Sequence, residues 1–344
     1  MRFNCANFSL ILLFVIVRTG ESESYNFTSS GSCPSGFYKN FTQSESSVFT
    51  TTVTGPFPVS ITSSPDGSTL FFGTRGSHHN IYEYVYSSNI VSILAGSNSA
   101  GSFDGVGENA AFNMPNGMAI TEDGSSLYIA DTDNHAIRLI ELSSRQVVTF
   151  VGTLGDSGDV LGHRQLEAKL NSPHDVKLSP DGGILYIADT GNYRIRRLDL
   201  ETDIVSTLVG SSALGHVDSV SPSSVKFNYP TGITVSSDGK SMFIADQVNN
   251  CIRRVEGLDS PLSVVTTTLA GQGQEHSGMS DGAIALFNKP SKVEITNDGE
   301  VLFVSDTESN RIAAIIISSR ETLTIAGCSG IFSVTYTRTH TNEQ

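Results

Sequence analysis

The chain has 344 residues, 38% of them hydrophobic and only 16% charged, which is ample for a large globular core and excludes gross disorder. Its 21 basic and 35 acidic residues leave a formal charge of −14, which argues against nucleic acid and anionic lipid as partners. Trp is absent, Gly is abundant at 32, and no long stretch has amphipathic helical spacing, so the composition favours strands.

Residues 1–20 read as a secretory signal: Arg2 is a short basic start, FSLILLFVIV (8–17) an apolar run, and RTGES offers small residues for cleavage. An uncleaved anchor is the alternative, although a span wants about 20 apolar residues. Cleavage removes Arg2 and Arg18 and no acid, leaving 19 basic against 35 acidic residues, or −16. A secreted, extracellular protein with no further membrane span is expected, and a monomer. In the segment 21–54, Asn26-Phe27-Thr28 and Asn40-Phe41-Thr42 are glycosylation acceptors. Cys33, Cys251 and Cys328 survive cleavage, an odd number that implies one bridge and a leftover, or free thiols.

From residue 55 to 327 the chain repeats itself. Pro58, Pro115, Pro173, Pro230 and Pro290 stand at intervals of 57, 58, 57 and 60. Eight residues after each comes an Asp-Gly turn, at Asp66, Asp123, Asp181, Asp238 and Asp298, and eight further on stand Thr74, Asp131, Asp189, Asp246 and Asp306. Apolar residues alternate with polar ones after each Pro (Met118 and Ile120, Val176 and Leu178, Ile233 and Val235), which is strand period. Three more short runs follow, such as LYIAD, RIRRL and IVSTLVG, making a four-stranded antiparallel meander per unit. Such a unit cannot bury both faces alone, and radial stacking into a β-propeller solves this. A β-solenoid is the rival, but its coils are usually shorter.

The stretch YIADTGNYRIRRL, Tyr186 to Leu198, places Asp189 three residues before Asn192 in what looks like a catalytic or metal-binding pair. It has siblings in Asp131 with Asn134, Asp246 with Asn249, and Asp306 with Ser309. Chemistry is seldom repeated in every unit, whereas turn geometry must be, so these residues are read as structural turns. The carboxylate would accept N–H bonds from the turn and Asn would take the left-handed conformation. The first unit departs, with Thr74 for the Asp and no Asn three residues on, so a looser turn is expected. His78-His79 there reads as a solvated loop, because adjacent loop histidines point apart.

These residues together resemble the NHL repeat, most fully in LAGSNSAGSFDGVGENAAFNMPNGMAI (94–120). The resemblance implies a β-propeller, usually of six blades, and mostly binding scaffolds for proteins, glycans or RNA, with a few enzymes. Five units are recognisable here. SSVFTTTVTG (46–55) resembles a fourth strand and GIFSVTYTRT (330–339) a first strand, so the chain ends, the latter in the tail 328–344, are candidates for a composite sixth blade. Closure with five is the alternative. In a closed ring Cys33 and Cys328 would come near each other, a candidate bridge worth ~2–4 kcal/mol. Cys251, opening a third strand, reads as an inert thiol.

Propellers bind at the channel mouth, so the pairs after each anchor Pro are the ones to compare: Val59-Ser60, Asn116-Gly117, His174-Asp175, Thr231-Gly232 and Ser291-Lys292. The family pattern has Gly second, met only by Gly117 and Gly232. Asn116, His174, Asp175, Thr231, Ser291 and Lys292 are the channel-mouth candidates. The segment around His174 is similar to the peptidyl-hydroxyglycine amidating lyase, whose zinc is held by His residues after such prolines. A catalytic zinc wants three converging ligands, and only one of the five positions is His. DTDNHAIRLIEL (131–142) lacks the Gly and Glu of a calcium loop, and no nucleophile elbow or P-loop appears. No cofactor and no catalytic residue are therefore predicted, zinc and calcium being the ions weighed. The reading is a binding scaffold for a protein or glycan, with a metal-dependent lyase or lactonase as the alternative.

Overall fold

Proline lacks the N–H that a strand's ladder would use, so it is best tolerated where a strand begins. Four of the anchors do this, opening the inner strands Pro58–Ser63, Pro115–Ile120, Pro230–Val235 and Pro290–Ile295. The third inner strand, Asp175–Leu178, starts two residues after Pro173. The Asp-Gly turn then reverses the chain. Thr121 donates its hydroxyl to Asp123 Oδ1 at 2.6 Å, the same oxygen accepts the Ser125 N–H at 3.0 Å, and Gly124 takes φ 69°. The pattern recurs at Asp66, Asp181, Asp238 and Asp298. In every case the neighbouring hydroxyl, helped by the backbone donor, holds the Asp below the ordinary carboxylate range.

A computed structural model describes residues 58–327 apart from 77, 261–263, 274–277, 279 and 283. The described residues form an all-β propeller of five antiparallel blades, each built in sequence order from the inner strand outward. The second blade continues through Ser126–Asp131, Ala136–Glu141 and Gln146–Val151. The second and third blades gain a fifth, outermost strand from the linker leading into them, Gly105–Val106 and Gly162–His163.

Each interface between successive blades is an apolar layer. Phe71 and Leu127 share the first, Ile137 and Ile187 the second, Ile195 and Ile244 the third, Phe243 and Val304 the fourth. The linkers close these layers with the fully buried side chains of Phe112, Leu170, Phe227 and Phe287. Burying such a side chain contributes about 1.5–3 kcal/mol. Inner strands touch their neighbours in series from the first blade to the fifth, while the fifth and first share no comparable contact among the described residues. Leu70, Phe72 and Tyr84 form a separate cluster on the face of the first blade that alternates with Phe71. The candidate closing segments 46–55 and 330–339 lie outside the described residues, as do Cys33, Cys328, Asn26 and Asn40.

Candidate functional site

The Asp that ends each second strand is buried inside its own blade. Asp131 Oδ1 accepts the Asn113 N–H at 2.7 Å, and Oδ2 accepts Asn134 Nδ2 and Arg138 Nη1, both at 2.8 Å. Arg138 is itself fully buried, stacked at 5.1 Å on the Phe112 ring, and its Nη2 reaches Asp104 of the linker at 2.7 Å. The arrangement repeats as Asp189–Arg196–Asp159, Asp246–Arg253–Asp218 and Asp306–Arg311–Asp281. Burial pushes Asp131 and Asp246 up to about 6 and also raises Asp189 and Asp306, against the pull of the arginines and hydrogen bonds. These carboxylates stand one per blade, and none lines the channel cavity. Among the described residues no three His, Cys, Asp or Glu side chains gather as a metal site.

Two details differ from the reading of the sequence. The Asp takes its backbone donor from two residues before the anchor Pro, not from the turn. The left-handed residue is also not the Asn: Asn134 sits in the single 3-10 turn Thr132–Asn134, and His135 takes φ 56°. Tyr193, Asn250 and Asn310 follow suit. The Asn contributes its amide, which ties Asp131 to the Gly101 carbonyl of the linker at 2.7 Å. Asn192 and Asn249 do the same to Gly158 and Gly215, and Ser309 reaches Gly278 at 3.3 Å. Among the described residues the first blade has no such ion pair: the Thr74 hydroxyl bonds the His78 carbonyl at 2.9 Å, and Tyr82 stands where Arg138 would. His79 is not a solvated loop residue but a buried link to the next blade, its Nδ1 accepting the Met114 N–H at 2.8 Å.

All six channel-mouth candidates line one bowl of about 440 Å³ on the axis, to which every inner strand contributes. The rim holds the blades to one another: Ser60 Oγ to the Asn116 carbonyl at 2.5 Å, Gly117 N–H to that of His174 at 2.9 Å, and Thr231 Oγ1 to that of Ser291 at 3.0 Å. Asp175 and Lys292, the departures from Gly, meet each other at 3.0 Å, joining blades 3 and 5. Gly232 of the intervening blade leaves room, since a Cβ there would lie 2.7 Å from Lys292 Cα. Two residues further along the same strands Lys177 meets Glu294 at 2.7 Å with the charges exchanged, and Thr234 adds a bond to Glu294 at 3.4 Å. Strand period puts residues i and i+2 on one face, so Lys177 and Glu294 were findable from the rim positions. Arg75 and Lys289, also in the lining, carried no signal beyond their neighbourhood to the turns.

His174 Nδ1 lies 3.0 Å from the Ser172 carbonyl, which can only accept, so that nitrogen carries the proton and Nε2 is left as an acceptor. Burial, with the charge of Lys292, lowers its pKa against the opposing pull of the Ser172 hydrogen bond and Asp175. Cys251 is a free, buried thiol raised well above its usual pKa by burial, 3.7 Å from His216 Nε2.

The NHL repeat family pattern matches residues 170–198. Protein SUPPRESSOR OF QUENCHING 1, chloroplastic, of Arabidopsis thaliana is 30% identical over 244 residues, covering 68% of this chain and 23% of that protein. NHL repeat-containing protein 2 of Homo sapiens is 37% identical over 108 residues, 31% of this chain and 15% of that one. The chain thus spans less than a quarter of the length of these curated relatives. Among solved structures, one from a nidogen/laminin complex aligns with TM-score 0.54 at 12% identity, covering 78% of this chain and 79% of its own. A structural genomics protein of unknown function from Bacteroides thetaiotaomicron gives 0.54 at 18%, covering 77% and 57%. At such identities the likeness is one of fold. The repeat's punctuation, the four-stranded blades it folds into and the relatives that share it agree, and the chain is an NHL-repeat β-propeller protein.

Proposed function

We propose that this propeller is a secreted, non-enzymatic scaffold whose axial bowl receives a protein or glycan. One observation carries the reading: turns, ion pairs and cores recur from blade to blade, while the pair after each anchor Pro differs and contributes to a single cavity. Repetition is what folding demands, and departures at an accessible mouth are where recognition is written. Secretion is supported by the apolar run 8–17 behind Arg2 and by the acceptors Asn26 and Asn40. The test is capture of cell-surface partners by the full chain and by Asn116→Arg, which fills the bowl from its rim. The variant should keep its melting temperature and lose the partner at least ten-fold; capture unchanged by it would sink the proposal. A metal-assisted lyase or lactonase is the second reading, favoured by the acceptor Nε2 of His174 beside Asp175. Stoichiometric zinc or calcium in the purified protein, lost on His174→Ala, would replace the scaffold with that enzyme.

A further inference from the structure

The bowl's two walls differ. Blades 1 and 2 give it Val59, Ile61, Met114 and Met118, an aliphatic wall whose methionines can repack around a guest. Blades 3 to 5 give it the two ion pairs described above. Counting every charged lining residue, Arg75, Lys177, Lys289 and Lys292 face Asp175, Glu294 and Glu308, one positive charge in excess. Three of the chain's seven lysines are gathered here, in a protein whose formal charge is −14.

The wall's own carboxylates are already occupied. Asp175 Oδ2 accepts the Ile233 N–H at 3.0 Å, and Oδ1 accepts the Val176 N–H at 3.1 Å in addition to Lys292. Glu294 is shared between Lys177 and Thr234. An ammonium has three donors, and Lys292 spends one of them on Asp175. Lys289 holds Glu308 only at 3.4 Å, with both side chains half exposed.

We infer that the occupant is a peptide segment of a partner protein, placing an Asp or Glu against Lys292 and Lys289 and an adjacent aliphatic side chain against Met114 and Met118. This deepens the scaffold reading and rests on it. His174 Nε2, an acceptor held in place through Nδ1, takes a backbone N–H of the same segment. Nucleic acid is the wrong guest, because single-stranded bases are held by stacking on aromatic rings and among the described residues no Phe, Tyr or Trp lines the bowl. A polyanionic glycan offers repeated charges and nothing for the aliphatic wall. A bowl of about 440 Å³ falls in the range that holds a small ligand or a few side chains.

The experiment selects a random heptapeptide library on the full chain, on Lys292→Ala and on the exposed-site variant Lys289→Ala, with melting temperatures confirming that all three fold. Wild type should enrich sequences with Asp or Glu next to Leu, Ile or Met. Their binding should fall at least ten-fold in Lys292→Ala, several-fold in Lys289→Ala, and with rising salt. Enrichment of basic or aromatic peptides, no enrichment, or stronger binding of a sulfated glycan or an oligonucleotide would overturn the inference. If those results came with loss of the cell-surface partner in Asn116→Arg, the peptide class would fall while the scaffold reading stood.

Discussion

A guanidinium taken wholly out of water is stable only while its charge is matched, and Arg253 shows how this protein does it. Asp246 Oδ2 takes Nη1 at 2.8 Å inside the blade, and the Val217 carbonyl and Asp218 of the linker take Nη2. The linker is thereby bonded to the blade it enters, and the Phe227 ring below, at 5.1 Å, belongs to the same linker. Removing one member of a buried pair typically costs about 3–5 kcal/mol, because the other charge is left stranded. Asp246→Ala leaves Arg253 still paired with Asp218, so it should lose less than that, about 1–3 kcal/mol in urea denaturation for the donors of Asn228 and Asn249 left without their acceptor, and pairing it with Arg253→Met should recover part of the loss. The Asp was visible in the sequence through its register, and its structural nature through its recurrence. The Arg was not, since seven residues separate it from Asp131, Asp189 and Asp246 but only five from Asp306. Arg311 reaches the same carboxylate from the start of the strand instead of its third place, and spacing alone does not reveal that two positions serve one acceptor.

Strands and turns were legible because their causes are local. Alternation fixes which face is buried, Pro marks an inner strand's start, and Ser or Thr two residues before Asp-Gly closes the turn. The rim was only half legible. Position in the repeat located the six candidates, but not that Asp175 and Lys292 are partners, because residues 117 positions apart in sequence meet only once the blades are stacked. The glycines of the rim have the same origin. Gly117 stands against Asp175, where a Cβ would lie 2.6 Å from its Cα, and Gly232 stands 2.5 Å from the Ser291 carbonyl by the same measure. Adjacent inner strands approach so closely there that backbone faces backbone. Gly232→Ala must push blades 4 and 5 apart, and overpacking of this kind costs about 1–3 kcal/mol. Ser60→Ala, at the equivalent place in blade 1, removes one hydrogen bond to Asn116 and should cost only about 1 kcal/mol. Melting curves of the two variants side by side check the difference; equal losses would mean that the inner strands are not in contact at Gly232.

At the scale of the whole propeller, two sets of aspartates respond to acid in opposite directions. The turn residues Asp66, Asp123, Asp181, Asp238 and Asp298 are held below 3.8 by the hydroxyls and N–H groups that bond them. Their contribution to stability is present above the unfolded value and disappears as pH falls through the folded one. Asp131 and Asp246 run the other way. Burial has raised them to about 6 from 3.8, so between those values the folded state holds protons that the unfolded chain has released. Stability from these two is complete below 3.8 and is lost as pH rises through about 6. Net charge acts in the same sense, since a chain at −14 near neutrality repels itself less as acids are neutralised. The protein should therefore melt at a higher temperature at pH 5 than at pH 7, and then lose stability steeply below pH 4 as the turns are protonated. Asp246→Asn separates the buried groups from the general charge effect. It cannot ionise, so it should show a smaller gain than wild type on going from pH 7 to 5. Circular dichroism melts of both proteins across that range supply the comparison, and an identical gain in the variant would mean that Asp246 stays ionised in the blade throughout.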